Sequence, residues 1–248
     1  MRKFLIAGLL AIVPLYLHAQ GRGQGATPLT GRTAAPFDIT GYWVALVTDD
    51  WRYRMLTPPK GNVDYLPVNA EGRRVAETWD PAKDEASGEQ CKAYGAGGVM
   101  RLPGRLHVTW ESDNTLRVDT DAGTQTRRFF FGGTQPQSGE PTWQGYSSAR
   151  WDLPGRGRGP AAAGRGQLTA TTTRMRPGYL RKNGVPYSAN AVMNEYFIRL
   201  VDNGGQEYLA LTMMVDDPQY LQQPYVKTYQ YKKQRDASGW NPTACSAR

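Results

Sequence analysis

FDITGYWVAL, residues Phe37 to Leu46, opens a folded domain and carries its first β-strand signal, from Thr40 to Asp49. Aromatic and β-branched side chains dominate it, as suits a pleated, half-buried surface. A Gly-x-Trp, Gly41-Tyr42-Trp43, sits just inside the strand. Upstream, residues 20–36 are rich in Gly, Thr and Ala and carry no helical or strand period, which predicts a flexible lead-in. Downstream, residues 37–248 predict a single domain, since no linker divides them.

The first nineteen residues have a different grammar. Arg2 and Lys3 precede an apolar run from Phe4 to Leu17, and Leu17-His18-Ala19 ends in a small residue. That is the pattern of a secretory signal peptide, and the run is shorter than the ~20 residues that span a bilayer. The expected location is therefore periplasmic or extracellular, with no membrane insertion after signal removal. Two cysteines, Cys91 and Cys245, fit export as a disulfide. Two unconnected buried thiols are the other reading.

Further strand signals follow at residues 105–111, 115–121, 124–131, 146–152, 167–175, 191–201, 207–215 and 225–233. Turn sequences separate them, among them DAGT at 121–124 and DNGG at 202–205, where Gly and Asn tolerate positive φ. One helix is expected after Asn69, running to about Trp79, and a short turn at Asp80-Pro81. The Gly/Pro/Arg-rich tract at 154–166 reads as a surface loop. The fold class is mainly β. An antiparallel β-barrel with one short helix buries its edges by closure, and a two-sheet β-sandwich is the alternative.

The net charge of +8 does not mark a nucleic-acid surface. Arg2, Lys3, Arg22, Arg32, Arg156, Arg158 and Arg165 lie in the leader, the lead-in and the tract, and without them 23 basic residues face 22 acidic ones. A nucleic-acid footprint needs its charge clustered on a folded face. Once the leader is removed, His107 is the single histidine, and with both cysteines paired no His/Cys metal site can be assembled. No metal and no cofactor are expected. Gly145-Tyr146-Ser147-Ser148-Ala149 lacks the second glycine of a nucleophile elbow, and His107 precedes the serine, against a serine hydrolase.

Two resemblances bear on the whole chain. Gly41-Tyr42-Trp43 resembles the lipocalin (calycin) first strand, in which the Trp packs across one end of the barrel under a basic residue near the last strand. The resemblance implies that Lys227, Lys232 or Lys233 covers Trp43. The segments FDITGYW, DAGTQTR, PTWQGYS and MRPGYLRKNGVPYS resemble a family of uncharacterised secreted bacterial proteins. That family implies no activity. Arg174 stands where the family often has His, which argues against an essential metal or acid–base role there.

The candidate binding residues follow from parity and composition. Trp143, Tyr146, Tyr196 and Phe197 are expected cavity walls, and Arg174, Arg176 and Arg181 expected anchors for an acidic group. The leading expectation is an exported protein that binds a small apolar or amphipathic molecule in a barrel cavity. A cofactor-free enzyme (isomerase, cyclase or hydrolase type) in the same barrel would use Glu195, Asp119 or Asp121. Asp119 and Asp121 share a strand face, either lining the cavity or facing solvent, while Glu195 is either desolvated beside Met193 and Phe197 or paired with Arg199. A structural envelope protein is the third expectation.

Overall fold

Leu211, Met213 and Val215 are buried, while Thr212 and Met214 between them are not. This period of two marks a strand with one face on a core. It recurs around the chain and closes a barrel. The computed structural model describes residues 29–133, 139–154 and 165–248; the expected signal peptide and most of the 154–166 tract lie outside them.

The strands are β1 (Gly41–Leu46), β2 (Arg105–Ser112), β3 (Thr115–Thr120), β4 (Gln125–Phe131), β5 (Tyr146–Asp152), β6 (Gln167–Thr173), β7 (Gly178–Arg181), β8 (Val185–Tyr187), β9 (Val192–Val201), β10 (Glu207–Asp216) and β11 (Tyr225–Lys233). Nine of them form a closed barrel in the order β1-β11-β10-β9-β6-β5-β4-β3-β2. The expected barrel is thus present and the sandwich is not. One joint departs from the antiparallel expectation. β4 and β5 run parallel.

Inward side chains from all nine strands join one continuous core that includes Trp43, Val108, Leu116, Phe129, Leu168, Phe197, Leu211 and Tyr229. Each such burial contributes roughly 1.5–3 kcal/mol. The lumen is therefore a packed core, as side chains fill small barrels. At one end, Lys233 Nζ lies 4.4 Å from the Trp43 ring centroid, the cover that the lipocalin resemblance implies. The indole Nε1 donates to Ile39 O at 2.9 Å. Gly41 has φ 102°, and a Cβ there would sit 3.2 Å from Lys233 Nζ, so the glycine admits the lysine.

The same end shows that the ordered fold begins before Phe37. Gly31 N donates to Asn114 Oδ1 at 2.7 Å, and Trp151 Nε1 donates to Gly31 O at 2.7 Å. The aromatic ends of β4 and β5 supply a surface for the lead-in, so the part of it from Leu29 is docked rather than flexible.

Long connections cap the other end. Residues 47–104 carry α1 (Trp51–Met55), α2 (Ala70–Ala76), α3 (Pro81–Ala86) and α4 (Ala96–Val99), four short helices where one was expected. Asn69 caps α2 through Gly72 N, and Asp80 caps α3 with Pro81 in its first turn, as the sequence predicts. β7 and β8 form a hairpin outside the barrel, with Leu180, Val185 and Asn183 fully buried. After β11 the chain returns along β1 and β2, where Trp240 meets Tyr42 and His107, and Cys245 forms its disulfide with Cys91. His107 stacks on Tyr42 at 4.1 Å, a packed surface residue. No helix among the described residues is long and apolar enough to cross a membrane.

Candidate functional site

The parallel joint creates a gap in the barrel wall. β4 and β5 pair at only three positions, Phe129 with Ser147 through Phe131 with Ala149. Gln125 to Arg128 therefore have no backbone partner from β5. Gly145 leads into β5 with φ 62°, and a Cβ there would strike Thr173 O. Thr142 anchors the segment before β5 by accepting from Arg176 N at 2.8 Å.

Beside the gap lies a cavity of about 440 Å³, lined by Gln125, Thr126, Arg128 and Phe130 of β4, by Gly139, Glu140 and Thr142 to Tyr146, and by Arg174. Its size falls in the range of small-molecule sites. Phe130 and Tyr146 stack at 5.0 Å and 5°, making one flat wall. Trp143 makes another, and Arg176 lies over its ring at 4.0 Å while its guanidinium pairs with Glu89 at 2.5 Å. Arg174, with φ 57°, donates to Gly139 O at the rim. Arg128 is paired with Glu111 at 2.6 Å. Gln144 Nε2 donates to Tyr94 O at 2.7 Å and to Gln125 Oε1 at 3.0 Å, tying the cavity to the helical cap. Burial raises the Tyr146 phenol above the ordinary tyrosine value.

Three expected binding residues, Trp143, Tyr146 and Arg174, thus meet in one cavity, with Arg176 behind Trp143. The other three lie elsewhere. Phe197 packs in the lumen, edge-on to Phe129 at 5.6 Å. Tyr196 is on the opposite face of β9, half-buried. Arg181 is at the cap, donating to Asn62 Oδ1 at 3.2 Å and Asp64 O at 2.6 Å.

The expected acid–base residues are held as structural groups. Glu195 is fully buried and takes both forks of Arg127 at 2.6 Å, so its partner is not Arg199, which pairs with Glu207. Arg127 Nη2 also reaches Thr172 Oγ1 at 3.3 Å, and Ser147 Oγ meets the same oxygen at 2.8 Å. Asp119 pairs with Arg117 at 2.8 Å and accepts from Thr126. Asp121 does not share its face. The strand has ended at Thr120, and Asp121 turns helical to accept from Arg105 N and Ala122 N at 2.7 Å. Among the described residues no cluster of His, Cys, Asp and Glu is arranged to hold a metal ion.

Comparison of the chain with family models, curated proteins and solved structures finds no match. The functional reading therefore rests on these residues alone. Sequence reasoning missed Arg127 as the partner of Glu195, although its parity with Phe129 and Phe131 was a signal: a charge on an apolar face needs an opposite charge on another. It also missed Arg54 and Arg101 at the cap, which no local pattern announced.

Proposed function

We propose that this is an exported protein that binds a small, flat, apolar or amphipathic molecule in the cavity at the β4–β5 joint. The observation that carries the reading is the pairing of a stacked Phe130–Tyr146 wall with Trp143 around about 440 Å³, with Arg174 at its rim. Aromatic walls hold flat or apolar bodies, and a guanidinium at the rim selects for an acidic substituent. Arg176 keeps the indole in place through its contact with the ring and its bridge to Glu89. Export is supported by the apolar leader from Phe4 to Leu17 and by the disulfide.

The test is native mass spectrometry of protein purified from a bacterial periplasm, beside the Trp143→Ala variant. A retained small molecule that the variant loses supports the reading. Identical spectra, with no quenching of tryptophan fluorescence by a panel of aromatic and amphipathic acids, would end it.

A further inference from the structure

A second cavity, of about 310 Å³, opens at the cap beside Tyr94 and shares no lining residue with the first. Its charged side chains are cationic, Arg54, Arg101, Lys182 and Arg248, and of these Arg248 is already paired with Glu85 at 3.6 Å. α1 delivers Arg54, and Arg101 lies two residues beyond the end of α4. Both side chains are buried, at 5% and 3% exposure.

Burying a cation is costly unless a carboxylate or a full set of acceptors receives it. Arg54 has neither. Its Nε donates to Arg101 O at 2.8 Å and its Nη1 to Leu46 O at 2.7 Å, while Nη2 is buried with no partner. Arg101 donates to Tyr53 O. The third buried arginine, Arg181, lies across the Tyr53 ring at 4.8 Å and adds its charge to the same region. Among the described residues none of the three forms an ion pair. Asp50, whose charge reaches Arg54 and Arg181, is engaged by Lys227 at 3.7 Å. Burial holds the Arg54 and Arg181 guanidiniums below the usual arginine value. Lys182 donates to Arg248 O and to Tyr94 Oη.

The rest of the lining is apolar and partly open to solvent. Leu56 is 67% exposed and Met55 53%, next to Leu102 and Pro103. A cationic floor under an apolar rim fits one class of molecule. We infer that this cavity binds a small amphipathic anion, its carboxylate or phosphate head taken by Arg54 and Arg101 and its apolar body laid against Leu56 and Leu102. Such a head brings negative charge to buried arginines that have no carboxylate partner, and a planar guanidinium suits either oxyanion.

Calorimetric titration of the full chain at low ionic strength tests this with dodecanoate and dodecyl phosphate, each below its micellar concentration, and with dodecanol as the neutral control. Saturable binding of at least one acid, and none of dodecanol, is expected. The better-bound head identifies the source as carboxylate or phosphate. Leu56→Glu, at an exposed rim position that leaves the circular dichroism unchanged, should weaken binding about tenfold or more, as should Arg54→Met. Trp143→Ala should not alter it, so this site and the one at the barrel joint stand or fall separately. The inference is overturned if neither acid saturates, if dodecanol binds equally, or if Leu56→Glu binds as the parent does.

Discussion

Lys233 Nζ lies 4.4 Å from the centre of the Trp43 ring, joining the last strand of the barrel to the first. The ammonium also donates to Thr40 O, so it ties the chain at the point where β1 begins. Trp43→Ala is expected to cost about 3–5 kcal/mol, since a fully buried ring leaves a cavity. Lys233→Met should cost about 1 kcal/mol, with a coupling of roughly 0.5–2 kcal/mol between the two positions. Urea unfolding of both single variants and the double variant measures it.

The Arg127–Glu195 pair should behave asymmetrically. Removing one partner, as in Glu195→Gln or Arg127→Met, leaves a charge in the lumen at 0% exposure and should cost about 3–5 kcal/mol. The combined variant Arg127→Met/Glu195→Leu should recover most of that loss, because apolar groups of similar volume satisfy a packed core. Denaturant midpoints of the three variants give the answer, and a double variant as unstable as the singles would show that the pair itself is required.

Alkaline unfolding follows from the tyrosines on β8 and β11. Burial raises the phenols of Tyr187, Tyr225, Tyr229 and Tyr231 above the ordinary value. Their folded values exceed the unfolded ones, so the stability they contribute is intact below about pH 10 and falls as pH rises beyond it. The melting temperature should drop steeply above that pH. Phenolate absorbance should show these four ionising only as the fold is lost.

The disulfide closes a loop of 154 residues between Cys91 and Cys245. In the chain-entropy description so long a loop contributes on the order of 4–5 kcal/mol. Cys91→Ser/Cys245→Ser should lower stability by up to that amount, measured by denaturant unfolding. Release of the tail should also show as faster amide exchange at Thr243, whose N–H bonds to Asp121 O.

The barrel strands were legible because each has one apolar and one polar face. The runs at 146–152 and 225–233 match β5 and β11 to the residue. What stayed hidden lacks that contrast. β7 and β8 are four and three residues long and almost wholly buried, so no alternation marks them. α4 is Ala-Gly-Gly-Val, too short and too small for a helical stripe. The cavity at the barrel joint was half visible: Trp143, Tyr146 and Arg174 were singled out by composition. Their meeting depends on β5 running parallel to β4, and strand direction leaves no mark on a local pattern. Arg54 and Arg101 come together through guanidinium-to-carbonyl bonds, Arg54 to Arg101 O and Arg101 to Tyr53 O, which spacing does not encode.

Nine strands make a ring, but its nine seams are unequal. β9 and β10 are laced by ten residue pairs, β4 and β5 by three. When the cylinder breathes it will unzip first between Phe129 and Ala149, beside Trp143. The weakest stitch in the wall is thus the one beside the cavity, and a molecule seated there would act as the missing thread.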